Sequence, residues 1–390
     1  MLIFSACFAI FVYGMVASML GTIIPGLASQ FALTNVQIGY IALAQGIGLA
    51  LASVAAGALI DRRGKKTGLL IGSGLIIFSL LQLSHPQGLW TIMAAMFILG
   101  MGGSLVIVGA NALGSEVSES RRASVLNFLN VFVGLGGLAT PFVAGNLLGS
   151  NPVKVAYGAC VITAIAFLLI SATKMNSTAK IEHVQSSSKS IFQNSSLYVL
   201  AAIIFLYTAC EFGIWNWLPK YLIMRGIPSA IALNILSLGF ALGLLCGRIA
   251  AAQILTKLSP YFVSLLASII MVLTTFALLH TTSPLWTGVT VFCAGLAMAP
   301  VFPTTLAIVG NIFTRGTSTA MGFVITCGFS GLVVSSPIIG WLSGPDPQGL
   351  SKGLLLLPAF SLLISLLYFV FRHRFVVSNV SSSQQIPAEL

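Results

Sequence analysis

The sequence predicts an all-α integral membrane protein, with twelve transmembrane helices in two pseudo-symmetric six-helix bundles and both termini cytoplasmic. Three observations carry this expectation. The 390 residues are 57% hydrophobic and only 6% charged, whereas a water-soluble domain carries about a quarter of its residues as charges. Apolar runs of about 20 residues, enough to cross a bilayer, recur over 3–28, 36–60, 67–85, 88–114, 123–148, 152–174, 196–223, 229–256, 259–280, 284–312, 318–343 and 350–371. In mid-chain, Lys174 to Asn194 is rich in serine and charge and has almost no apolar periodicity, the composition of a flexible linker. The expected divisions are a bundle over 1–174, a cytoplasmic linker over 175–195, a second bundle over 196–373 and a tail over 374–390.

Orientation follows from the basic residues. With both termini inside, the inner loops and tail hold Arg62, Arg63, Lys65, Lys66, Arg121, Arg122, Lys174, Lys180, Lys189, Arg248, Lys257, Arg315, Arg372 and Arg374. The outer side keeps Lys154, Lys220, Arg225 and Lys352. Fourteen against four is a strong positive-inside bias. It also accounts for the net charge of +11 without any nucleic-acid partner. The first apolar run lacks a positive leading region and is too long for the core of a signal peptide, so it reads as a retained helix. Six cysteines stand singly at 7, 160, 210, 246, 293 and 327. Their spacing indicates neither a metal site nor a disulfide framework. No phosphate loop or nucleophile/base spacing points to an enzyme, and no cofactor is indicated.

Taken in order, the first span carries Tyr13, Gly14, Gly21 and Pro25, with the thiol of Cys7 and no acidic or basic side chain. The second has Gly46, Gly48 and Gly57, small residues at intervals that let helices approach closely. Between spans two and three lies Gly57-Ala-Leu-Ile-Asp-Arg-Arg-Gly-Lys-Lys66. This is at least a basic anchor; Asp61 can also pair with a nearby arginine such as Arg62, while Gly64 permits a tight turn. Glu116-Val-Ser-Glu-Ser-Arg121-Arg122 forms a second charged turn after span four. Span five places Asn127 and Asn130 about one turn apart ahead of a glycine run and Pro141. Amides in an apolar helix need partners, either a neighbouring helix or a polar solute. The second half repeats the first weakly, Arg121 to Pro141 being mirrored by Arg315 to Pro337 and His85 by His280. Such repeats place a substrate near the midplane between the halves. Arg248 lies inside the eighth span, placed to snorkel outward, to bind inner-loop carboxylates or to meet a solute. Span ten contains Pro300-Val-Phe-Pro303-Thr304, a kink with hydroxyls beside it.

The segment from Gly57 to Lys66 resembles the signature between helices 2 and 3 of the major facilitator superfamily, with Lys65 where that family has arginine. The resemblance implies the major facilitator fold and a cytoplasmic charge network in which Asp61, Glu116, Arg121 and Arg122 are the matching positions. Further runs are similar to the fucose permease-like branch of sugar:proton symporters: Leu126-Asn127 leading to Pro141, Tyr207 to Tyr221, and Pro300 to Thr304. That likeness implies a sugar-like solute moved with protons. One departure matters, because fucose permease-like members carry an acid in the first span and Ala6 to Ser29 contains none.

Glu211 is the only carboxylate deep inside an apolar run; the other six acids lie at segment ends, in loops or in the tail. An ionised carboxylate in mid-bilayer costs several kcal/mol, so it is retained only where neutralised, paired or used. It is either a protonated packing group or the coupling site. Helical spacing puts Tyr207, Glu211 and Trp215 on one face, with Asn216 and Trp217 beside it. Aromatic faces there are placed to stack on a sugar while Asn127, Asn130, Asn216 and Thr304 offer hydrogen bonds. The expected protein is a monomeric secondary transporter in a bacterial inner membrane, taking up a sugar or other small polar metabolite with protons through Glu211. The alternatives are a proton-antiporting exporter of amphipathic compounds and an organic-anion carrier using Arg248.

Overall fold

A computed structural model describes residues 2–117, 122–173, 189–255, 257–313, 317–344, 346–373 and 375. Among these residues twelve helical spans are long and apolar enough to cross a membrane. The first six are α1 (Leu2–Phe31), α2 (Asn35–Arg63), α3 (Lys65–Leu83), α4 (Leu89–Val117), α5 (Arg122–Asn146) and α6 (Pro152–Ala172). After a short α7 (Lys189–Phe192) comes α8 (Ser195–Met224). The next span is composite: α9 (Ser229–Asn234), a π-helical stretch Ile235–Ala241, and α10 (Leu242–Ile254). α11 (Pro260–His280) follows. α12 (Pro284–Met298) and α13 (Val301–Ile312) share the tenth span, which Pro300 divides. The last two spans are α14 (Thr317–Ser343) and the pair α15 (Leu350–Leu354) and α16 (Leu356–Val370). The span limits agree with the hydropathy reading to within a few residues; the break in the tenth span falls at the expected proline kink, whereas those in the eighth and twelfth were not expected.

Because the described spans alternate direction and are even in number, α1 begins and α16 ends at one end, the termini end, where α6 ends and α8 begins. The opposite end is the far end. Local chemistry fixes where helices begin. Thr34 Oγ1 accepts from the Gln37 amide while Gln37 Oε1 accepts from the Thr34 amide, a reciprocal cap that starts α2. Asn151 and Ser259 cap α6 and α11, each with proline at the first helical position. Gly64 alone separates α2 from α3, and its φ of 85° is one that residues with a Cβ rarely adopt.

Lipid tails are as apolar as leucine, so helices in a bilayer associate by close packing. A Cβ on Gly48 would lie 2.1 Å from the Phe97 carbonyl oxygen, and one on Gly100 would lie 2.1 Å from that of Gln45. These contacts lock α2 to α4. Gly243 and Gly295, each 195 positions further along, repeat the lock against the carbonyls of Phe292 and Phe240 at 2.3 and 2.4 Å. Phe292 and Phe240 are themselves 195 positions beyond Phe97 and Gln45. The internal repeat that is faint in the sequence is therefore clear in the packing.

The same offset relates the contacts between the halves. Gly145 meets the Ala230 carbonyl (3.1 Å to a Cβ) and Gly340 meets that of Asn35 (2.5 Å), so α5 against α9 and α14 against α2 are pseudo-symmetric interfaces at the far end. Trp90, Trp286 and Trp341 are exposed at that end, as aromatic side chains are at a membrane interface.

Candidate functional site

The two halves are sealed at the far end and parted at the termini end. On α2 and α14 the seal runs from Gly39 against Pro337 to Gly46 against Val333, where a Cβ would come within 3.1 Å of the opposite backbone. Gly57 lies 18 residues beyond Gly39, and Gly322 lies 18 residues before Gly340, five helical turns in each case. Both are on the face that makes the seal, yet a Cβ on either would meet nothing within 4 Å among the described residues. The same face of α14 exposes Gly322, Thr326 and Ser330 before it packs at Val333. In an otherwise apolar helix, a polar stripe of this kind lines a water-filled cleft.

Trp215 closes the blind end of that cleft. Its ring meets Phe240 edge-on with centroids 5.2 Å apart, and it lies 3.2 Å from where a Cβ on Gly137 would be. Its carbonyl oxygen sits 1.8 Å from a Cβ position on Gly21, so only glycine allows α1 to cross α8 there. One turn toward the opening stands Glu211, half-buried; one turn further is the buried Tyr207, whose phenol lies within electrostatic range of the Glu211 carboxylate. Tyr207 also tilts against Phe302 of α13, with centroids 6.1 Å apart. From the first half, Tyr13 of α1 comes within electrostatic reach of Glu211. Arg248 of α10 acts on the same Tyr207 hydroxyl. A carboxylate, a guanidinium and two phenols from three helices are thus linked by electrostatic range between the halves.

On the expected face of α8 only Glu211 is partly exposed; Tyr207 and Trp215 are buried, as are the neighbouring Asn216 and Trp217. Asn216 is buried and donates to Ser336 Oγ at 2.9 Å inside the second bundle. Trp217 is fully buried there, its indole N–H unpartnered. Thr304 is likewise buried, bonded to Ser264 and to the Pro300 carbonyl at 2.6 Å. Both Asn216 and Thr304 spend their hydrogen-bonding capacity on helix packing. Asn130 is exposed, one turn toward the opening from Gly134, which packs against Leu245 of α10. Arg62 is exposed at the end of α2. The side chains of Asp61, Glu116, Arg122 and Asn127, and all of Arg121, lie outside the described residues.

Three features of the site carry no strong sequence signal. Tyr13 is one aromatic among many in the first span. Lys220 reads as an interfacial anchor, yet its Nζ donates to Asn35 Oδ1 at 2.7 Å across the halves, and Asn35 Nδ2 donates to the Asp346 carbonyl at 3.0 Å. Asn146 and Asn234 exchange amide bonds of 2.6 and 3.1 Å between α5 and α9. All of these polar bridges lie at the far end.

Two repeats around a polar pocket, closed on one side and open on the other, have the build of a membrane carrier. The model of the Major Facilitator Superfamily matches residues 6–336, and the chain belongs to that superfamily. It is a multi-pass membrane transporter and not an enzyme. The chain is 25% identical over 319 residues to Protein TsgA of Escherichia coli O6:K15:H31, covering 79% of this chain and 80% of that one. Among solved structures it is similar to a D-xylose-proton symporter, with a TM-score of 0.79, 14% identity and coverage of 94% of this chain and 96% of the other. It is also similar to FucP in the outward conformation, with a TM-score of 0.63, 17% identity and coverage of 94% and 98%. At these identities the structural likeness concerns the fold.

Proposed function

We propose that this protein is a secondary active transporter working by alternating access, and that it couples uptake of a sugar or other small polar metabolite to protons at Glu211. The observation that carries the reading is the position of Glu211 at the blind end of the cleft, beside Tyr207 and within reach of Tyr13 on the opposite half. A carboxylate there exchanges protons with water while the cleft is open and loses that water when the halves close. Proton and solute then alter each other's affinity reciprocally. The printed names of two structural neighbours, a D-xylose-proton symporter and a fucose:proton symporter, support the same chemistry. The bundles over 1–174 and 196–373 are the moving bodies. With the termini cytoplasmic, as the basic residues argue, the arrangement described is open to the cytoplasm of a bacterial inner membrane.

The test is solute-driven proton entry into liposomes holding the purified protein, across a panel of sugars, with Glu211→Gln alongside. Proton entry with one sugar, abolished by the substitution, is the expected result. Sugar exchange without proton movement would refute coupling at Glu211.

A further inference from the structure

Arg248 is the least explained group in the cleft. Leu245, one turn earlier on α10, lies 3.3 Å from a Cβ position on Gly134 of α5, so this is where the two halves meet beside the pocket. Stepping one turn toward the opening on each helix brings Arg248 level with Asn130, across the space between the halves. Arg248 is half-buried, acts on the Tyr207 hydroxyl, and forms no ion pair within 4 Å among the described residues. Glu211 lies within electrostatic range of that same hydroxyl and is equally without an ion pair among the described residues. An arginine holds its charge at any accessible pH, and inside a membrane it requires a counter-ion once water leaves: the Glu211 carboxylate when the cleft is empty, and another anion when Glu211 carries a proton. The open cleft supplies water. The closed one does not.

From this geometry we infer that the transported solute carries a carboxylate, and that it belongs to the class of small polyhydroxy acids, of which sugar acids are the type. This rests on the uptake reading above and narrows its substrate. The planar guanidinium of Arg248 matches a carboxylate with two parallel hydrogen bonds, a geometry a neutral sugar cannot offer. Asn130, exposed across the gap, is placed to meet a hydroxyl of the solute, while the buried Tyr13, Tyr207 and Trp215 wall the pocket. The charges also balance. With the cleft empty, Glu211 and Arg248 are opposite charges around one hydroxyl and compensate each other. When a solute carboxylate takes the guanidinium, a proton on Glu211 restores neutrality, so the loaded and empty carriers cross with the same charge.

Equilibrium binding to the purified full-length protein in detergent tests this, using gluconate, glucose as its neutral counterpart and glucosamine as its cationic one. Gluconate is expected to bind at least about tenfold more tightly than glucose, an advantage lost in Arg248→Gln and partly kept in Arg248→Lys. The quantity read is the ratio of gluconate to glucose affinity, which should fall toward one in Arg248→Gln. Should Arg248→Gln fail to fold, the wild-type comparison decides alone. Equal binding of gluconate and glucose, preference for glucosamine, or gluconate binding that survives Arg248→Gln would each overturn the inference. The two readings fail separately. Glucose-driven proton entry lost in Glu211→Gln, with no carboxylate preference, leaves the coupling reading intact and removes this one. Gluconate binding that depends on Arg248, without proton movement in liposomes, does the reverse.

Discussion

Substituting Lys220 by methionine should tip the protein toward the state in which the far end is open. Lys220 Nζ reaches Asn35 Oδ1 at 2.7 Å, and Asn35, only 1% exposed, passes the contact on to the Asp346 carbonyl at 3.0 Å. The first bond crosses from the second half of the chain to the first, so it exists only while the far end is shut. Once that end opens, water replaces both partners. A hydrogen bond with a charged partner contributes about 1.5–3 kcal/mol, and methionine keeps the stem of the side chain while removing only the donor. The ratio of far-end-closed to far-end-open molecules should therefore fall by roughly 10- to 150-fold. Electron-electron resonance between nitroxides at Arg62→Cys and His373→Cys, both exposed at the termini end, reads this ratio once the six native cysteines are replaced. Short distances should gain population in Lys220→Met as the termini end closes. Asn35→Ala, which removes this bond and the second cross-half bond to the Asp346 carbonyl, should act in the same direction at least as strongly, and adding Lys220→Met to it should change little. An unchanged distance distribution in Lys220→Met would show that this contact does not hold the halves, and the reasoning would be wrong.

Three further outcomes follow from the same geometry. Asn146→Cys with Asn234→Cys, replacing amides that touch at 2.6 Å, should form a disulfide under mild oxidation that stops transport until it is reduced; gel mobility and flux report it together. Gly57→Cys with Gly322→Cys should cross-link only when the termini end closes, so fixing the far end through the first pair should abolish the second cross-link. Lys66→Met loses bonds of 2.6 and 2.8 Å to the Ser171 and Thr173 carbonyls at the end of α6, and should lower the unfolding midpoint by a few degrees without changing which end is open.

How much of this was legible beforehand depends on which physical signal each feature leaves in one dimension. Span number and limits follow from hydropathy, because a bilayer of fixed thickness sets a fixed run length. Glu211 stands out because a carboxylate in such a run is costly, and its i, i+4 relation to Tyr207 and Trp215 is plain helical arithmetic. Asn216 shows where the arithmetic stops. It is one position from Trp215, and spacing alone does not tell a cleft from a helix partner; Ser336, 120 residues away, receives its amide. Thr304 fails in the same way, because its partner Ser264 lies on a different span. The cross-half bridges of Lys220, Asn146 and Asn234 are long-range pairings of ordinary residues, which carry no local signature.

The 195-residue repeat separates what moves from what recognises. Gly48, Gly100 and Gly145 have counterparts at Gly243, Gly295 and Gly340, so the locks within each bundle and the seal between bundles are duplicated. A pair of equivalent interfaces can rock about a common axis without changing the packing inside either half, which is what alternating access requires of a scaffold. The pocket chemistry is not duplicated. The positions in the first half corresponding to Tyr207, Glu211, Trp215 and Arg248 are Val12, Val16, Leu20 and Ser53. Both charges therefore ride on the second bundle, while the first contributes a phenol and an exposed amide from Tyr13 and Asn130. A solute bound by charge would travel with the second bundle and be released when Tyr13 and Asn130 withdraw from it. Neutral contacts on one side and charged contacts on the other make that withdrawal cheaper than breaking an ion pair, because no charge has to be uncovered when the halves part.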